Sequence, residues 1–162
     1  MLPYNECTKD HRLEGGLKVI TLQTVTKENF WDCIDLNVYP EQENFITSNS
    51  ISIAQAKIQP ECTPLAIYND ETMVGFIMYC LDTDDDEYWI YRLMIDQHYQ
   101  GNGFATEALH QVIEIIKDDK TRNQIFLGVP LESESAVHLY EQAGFKFNGQ
   151  IFGQEHIMVL NY

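Results

Sequence analysis

Positive charge is scarce in this sequence: ten Lys and Arg stand against 25 Asp and Glu, a net charge of −15 over 162 residues. Binding a nucleic-acid backbone requires a positive face, so DNA and RNA are excluded as partners. The summed field suits a small cationic molecule, although acidity that merely keeps a protein soluble is the plainer reading of charge alone. Long apolar runs are absent, and none approaches the roughly 20 residues that span a bilayer. Residues 1–16 are polar and charged and lack the apolar core of a signal peptide. A cytoplasmic protein with no membrane partner is expected. Cysteine is sparse as well. Cys7, Cys33, Cys62 and Cys80 are scattered without a CxxC pair, which removes a zinc or redox motif and reads as reduced thiols. The histidines (His11, His98, His110, His138, His156) show no ligand spacing, so no metal is expected.

Core material, by contrast, is plentiful. Apolar residues make up 44% and aromatic residues 12% of the chain, enough for one globule of ordinary domain size. Residues 1–17 have no clear period and read as a loosely ordered arm, whereas residues 18–162 read as a single domain. The segment Val19 to Thr24 alternates and is β-branched, a strand. Thr26 precedes a helix with Phe30, Trp31, Ile34 and Val38 on one face, closed by Pro40. A shorter helix after Ser50 aligns Ile51, Ala54 and Ile58. Two strands flank the hairpin turn Asn69-Asp70-Glu71-Thr72, the acids from Asp82 to Glu87 form the next turn, and Tyr88 to Ile95 completes a meander. After Gly103 the period turns helical, with Ala105, Ala108, Leu109, Val112, Ile113 and Ile116 on one face. Ile125 to Val129 is apolar throughout, as a central parallel strand is. Ser133 caps a last helix that stops at Gly144, and two antiparallel strands close the chain. The order β, α, α, β, β, β, α, β, α, β, β predicts a mixed α/β domain, its mainly antiparallel sheet flanked by helices.

The chemistry concentrates in Gln100-Gly101-Asn102-Gly103-Phe104-Ala105, between an apolar strand and an apolar-faced helix. Glycines there let backbone approach a ligand, and a helix start offers N–H groups to an anion, so a phosphate or pyrophosphate is the expected guest. A Walker loop is excluded because Phe104-Ala105-Thr106 follows Gly103 with no lysine. A dinucleotide fingerprint is excluded because Thr106 occupies the third glycine position and the next strand ends in Val129-Pro130 without an acid.

These residues resemble the GNAT superfamily of N-acetyltransferases. Its pyrophosphate signature (Gln or Arg, two residues, Gly, one residue, Gly or Ala) is matched by Gln100-x-x-Gly103-x-Ala105, and a second signature by Ala136-x-x-Leu139-Tyr140-x-x-x-Gly144-Phe145. The element order extends the likeness over roughly Lys18 to Leu160. Ser133 stands where the family usually has asparagine. A closer likeness, to bacterial spermine/spermidine acetyltransferases, rests on Tyr88 to Asp96, on Tyr99-Gln100-Gly101 and on Phe45-Ile46-x-x-Asn49-x-x-Ser52-x-Ala54-x-Ala56.

The resemblance implies the GNAT fold, acetyl-CoA as co-substrate, and acetyl transfer to a small cationic amine, foremost a polyamine. A peptide amine, an aminoglycoside, or a non-catalytic acyl-CoA-binding module are the alternatives. Gln100, Gly101, Asn102, Gly103, Phe104, Ala105, Ser133 and Tyr140 would contact the cofactor, with backbone of Leu93, Met94 and Ile95 at the acyl oxygen. Freeing the lone pair of an amine of pKa about 10.4 at pH 7.4 costs roughly 4 kcal/mol, which calls for a carboxylate. The resemblance gives that role to Glu87, whose plainer reading is the last acid of a solvated turn. Tyr91, on the same strand face, would order water. Tyr140 would protonate the leaving thiolate, and Asp84 and Asp85 would draw the cation to the mouth. Members of the superfamily are often homodimers, so a second copy is among the implied partners.

Overall fold

The computed structural model describes residues 20–162; the expected arm, at residues 1–17, lies outside them. Seven strands, β1 Ile20–Thr24, β2 Cys62–Asn69, β3 Thr72–Asp82, β4 Glu87–Ile95, β5 Gln124–Val129, β6 Lys146–Phe152 and β7 Glu155–Asn161, form one sheet in the order β1-β2-β3-β4-β5-β7-β6. Its neighbours are antiparallel except β4 and β5. The meander from β2 to β4 closes through tight turns, and Asp70 at φ 53° and Asp86 at φ 61° take the left-handed conformation such turns need.

Four helices pack against the sheet: α1 Phe30–Ile34, α2 Asn49–Ile58, α3 Phe104–Lys117 and α4 Glu134–Gln142. The apolar face expected of α3 is buried through Ala108, Leu109, Val112, Ile113 and Ile116, in one cluster with Tyr140, Phe145, Val74 and Ile77 of β3, Ile90 and Ile95 of β4, and alternate residues of β5. A second cluster joins Phe76, Met78 and Cys80 of β3 to Cys33 of α1 and to Ile53 and Ala56 of α2. The described cysteines Cys33, Cys62 and Cys80 are free and buried.

The first two helices differ from their sequence reading. α1 stops at Ile34, and Pro40 opens a 3₁₀ helix, Pro40–Phe45, in place of closing α1. Proline suits a first helical position because its φ is pre-set and its missing N–H is not needed there. Trp31 is 69% exposed while Cys33 is fully buried. In α2 the aligned apolar residues face solvent, with Ile51 60% and Ile58 82% exposed, and the buried face carries Asn49 and Ser52. Their polar groups are satisfied: Asn49 Nδ2 donates to Cys33 O at 2.8 Å and Ser52 Oγ to Ser48 O at 3.0 Å.

β3 and β4 pair with one irregularity that shapes everything downstream. Met78 faces Arg92 and Tyr79 faces Ile90, so Tyr91 is an extra, bulged residue.

Candidate active site

β4 and β5 pair only through Tyr88–Ile90 with Ile125–Leu127. Beyond that point Leu93, Met94 and Ile95 pair with β3 alone, and a cavity of about 550 Å³ opens along their free edge. The loop after β4 and the first residues of α3 form one wall; Ser133, Ala136, Leu139 and Tyr140 form another. Gly101 at φ 75° and Gly103 at φ 81° are left-handed, and a β-carbon at either would meet no atom within 4 Å. The cradle therefore needs glycine for its backbone path and leaves room above it. Gln100 holds the cradle in place, its Nε2 donating to Ile95 O at 3.0 Å and to Gln42 Oε1 at 2.8 Å.

Of the residues expected at the cofactor, Leu93, Met94, Ile95, Gln100, Gly101, Gly103, Phe104, Ala105, Ser133 and Tyr140 all line this cavity. Asn102 does not: its Nδ2 turns back onto Tyr99 O at 2.9 Å and Gln100 O at 3.2 Å, tying the loop to itself. Ser133 sits at the N-cap of α4 without a side-chain cap bond. Gln42 and Phe45 of the 3₁₀ helix and Ile46 just after it also line the cavity; Phe45-Ile46 opens the stretch that carries the closer likeness, whereas Gln42 has no motif to single it out.

Two smaller spaces continue from it. A throat of about 80 Å³ is shared by Phe45, Ile46, Asn49, Tyr91, Arg92, Leu93, Met94, Gly128, Ser133, Tyr140 and Glu155. A mouth of about 380 Å³ follows, lined by Gln55, Asp82, Asp84, Asp85, Trp89, Tyr91, Arg92, Gly128, Phe152 and Glu155. Tyr140 and Ser133 border the first two spaces, while Tyr91, Arg92, Gly128 and Glu155 border the last two. The three lie in series.

Tyr140 is 8% exposed and edge-on to Phe145 at 6.0 Å. Burial pushes its phenol up to about 12, and the charge of Glu155 acts in the same direction. Tyr91 Oη donates to Asp82 Oδ2 at 2.5 Å; burial and then that carboxylate hold its phenol far above the usual tyrosine range. Trp89 stacks on Phe126 at 5.2 Å, lies 6.2 Å from Phe152, and donates from Nε1 to Asp85 Oδ2 at 2.9 Å. The mouth thus combines carboxylates with aromatic faces, the two surfaces that bind ammonium groups.

Glu87 stands apart from this series. It opens β4 opposite Asp82, its N–H donates to Asp85 Oδ1 at 3.0 Å, and it lines none of the three spaces. Four strand residues, about 13 Å, separate it from Tyr91. Asp84 and Asp85 do reach the mouth, whereas Asp86 is turned away into an ion pair with Arg122. The carboxylate that reaches both throat and mouth is Glu155, at the start of β7. Its only sequence signal is position, two residues after Gly153 in the closing hairpin. Among the described residues no His, Cys, Asp and Glu group could hold a metal ion, and no helix is long and apolar enough to cross a membrane.

Residues 16–145 match the model of the Acetyltransferase (GNAT) family. The spermine/spermidine N(1)-acetyltransferase of Bacillus subtilis (strain 168) is 31% identical over 147 residues, which are 86% of this chain and 97% of that protein. Among solved structures, the PaiA N-acetyltransferase from Thermoplasma acidophilum in complex with coenzyme A superposes with a TM-score of 0.70 at 18% identity, over 89% of this chain and 99% of that one. The spermidine N-acetyltransferase from Vibrio cholerae in complex with CoA and spermine gives 0.69 at 17% identity, over 88% and 95%.

Proposed function

This chain belongs to the acetyltransferase (GNAT) family, and from that membership we propose that it acetylates a primary amine of a polyamine such as spermine or spermidine. Bound acetyl-CoA supplies the thioester carbon that the amine attacks. The residues fit such a guest: the Gln100–Ala105 loop and the start of α3, a helix of 14 residues, would hold the pyrophosphate by N–H groups and helix dipole. The unpaired edge at Leu93 to Ile95 would meet the acyl oxygen with backbone groups.

Glu155 takes the amine proton, directly or through one water, at the junction of throat and mouth. Tyr140 stands between cofactor cavity and throat and donates to the departing sulfur. With its phenol near 12 and a thiol near 8.5, full transfer from Tyr140 is uphill by about 5 kcal/mol. The residue therefore acts first as a hydrogen-bond donor and gives up its proton as the amine proton leaves for Glu155. Asp82, Asp84, Asp85, Trp89 and Phe152 hold the distal ammonium groups.

The observation that carries this reading is the series of three spaces, ending in acids and aromatic rings. The polyamine assignment draws further on the Bacillus subtilis relative and on the net charge of −15. We take residues 18–162 as the catalytic domain and the cytoplasm as its location, which suits the free thiols Cys33, Cys62 and Cys80. Thiol release from acetyl-CoA, compared across spermine, spermidine, lysine, peptides and aminoglycosides, tests it. The highest kcat/KM is expected for a polyamine; negligible polyamine turnover beside a peptide amine overturns the assignment.

A further inference from the structure

One positive side chain stands in a passage that the polyamine reading fills with cations. Arg92 lines both throat and mouth, brought there by the bulge that lets Tyr91 and Arg92 border the same space in succession. Its hydrogen bonds go to neutral oxygens, Nη1 to Tyr91 O at 2.7 Å and Nη2 to Gln55 Oε1 at 3.2 Å, and its buried Nε has no partner. Burial pulls the guanidinium below its ordinary value, and the charge of Glu155 pulls it back up through space.

Charged and titratable groups approach Arg92 from every side of the passage: Glu155 from β7, Tyr140 from α4, Asp82 from the end of β3, Asp84 and Asp85 from the β3–β4 turn, and Tyr91 beside it. Cys62 of β2, whose thiol burial keeps protonated, and Gln55 of α2 are neutral neighbours. None of the carboxylates is hydrogen-bonded to Arg92. In the throat one guanidinium therefore stands beside one carboxylate, whereas the mouth adds three further acids.

We propose that the Arg92 guanidinium disfavours a proton on the acceptor nitrogen in the throat, so that the nitrogen nearest the thioester reacts neutral while the distal ammonium groups remain charged among the acids of the mouth. Arg92 is a positioning and tuning residue; its charge repels the like charge of a protonated amine, as an opposite charge would retain it. The inference rests on the polyamine reading of the passage.

Single-turnover acetyl transfer to saturating spermine, followed from pH 6 to 10, reads the enzyme–substrate complex and tests the idea. In Arg92→Gln the rising acid limb should move up by about one pH unit, an approximately tenfold loss at pH 7 that vanishes near pH 10. Arg92→Lys, which keeps the charge, should leave the limb in place. Coenzyme A affinity, measured by calorimetry as a check on folding, should be unchanged because Arg92 does not line the cofactor cavity. Arg92→Met replaces the Gln variant if the latter binds no coenzyme A. An equal loss at every pH overturns the role of Arg92 while leaving the polyamine reading intact. A wild-type preference for lysine over spermine that Arg92→Gln abolishes would pair the guanidinium with a substrate carboxylate and also overturns it. Absence of polyamine acetylation by the wild type, in contrast, removes the reading on which it rests.

Discussion

Glu155 lies so close against Gly128 that a β-carbon on the glycine would stand 2.5 Å from Oε2. The missing side chain on β5 is what lets a carboxylate of β7 rest beside both throat and mouth. Glu155→Gln should lower acetyl transfer about 10²-fold at neutral pH, with the loss shrinking at high pH where more amine is already neutral. Gly128→Ala should reproduce the effect at about tenfold by displacing the carboxylate. Pre-steady-state rates at pH 7 and 9.5 decide; equal rates in wild type and both variants would return Glu155 to the rim.

Tyr140→Phe removes a hydroxyl and nothing else, so coenzyme A should still bind while turnover falls about 10²-fold. The same variant reports on stability. The phenol ionises near 10 in the unfolded chain and near 12 in the fold, so the unfolded state loses its proton first as pH rises. Stability from this group is complete below pH 10 and is lost towards pH 12, up to about 3 kcal/mol. Chemical denaturation of Tyr140→Phe should therefore show a flatter alkaline limb than wild type. Identical limbs would place the phenol in water.

Gly103→Val forces a β-branched residue into φ 81° at the N-cap of α3, a cost of about 1–3 kcal/mol. The added side chain meets open space, so the cost falls on the loop conformation and the cavity, with packing untouched. Calorimetry should show coenzyme A affinity reduced at least tenfold in a folded protein. Unchanged affinity would move the pyrophosphate away from this loop.

Asp84→Asn with Asp85→Asn should raise KM for spermine and flatten its salt dependence, with kcat nearly unchanged, because exposed charges act within a screening length of about 8 Å. Asp86→Asn is the contrast: its carboxylate is engaged by Arg122, outside the mouth, and KM should hold. Steady-state kinetics at two salt concentrations separate the pair. A KM shift from Asp86 as large as from the double variant would make the effect one of net charge.

Element order, the α3 face and the glycine cradle were all legible in the sequence, because each is written in local periodicity or in residues that only one backbone conformation suits. Orientation was not. The spacing of Ile51, Ala54 and Ile58 marks an apolar face of α2 but cannot say that it points outward; the inward choice is made by Asn49 finding the Cys33 carbonyl. The bulge at Tyr91 has no glycine to announce it, and it decides which β4 side chains share the throat. Glu155 is distant in sequence from every motif, and its place depends on strand order, with β7 inserted beside β5. The distance of Glu87 from the passage was hidden for the same reason: sharing a strand face with Tyr91 says nothing of where along the strand the passage lies.

The three residue pairs between β4 and β5 make the sheet two leaves hinged on a narrow seam. β2 to β4 are local antiparallel neighbours that can zip in sequence, whereas the parallel seam must wait for the α3 crossover to close. Backbone amides of Tyr88 to Ile90 that bond across the seam to β5 should accordingly exchange with solvent sooner than those that bond back to β3. A guest in the large cavity touches β4 and α3 on one side and α4, which follows β5, on the other. Its arrival would stitch the leaves together, and the slowing of exchange at the seam would report occupancy from a distance.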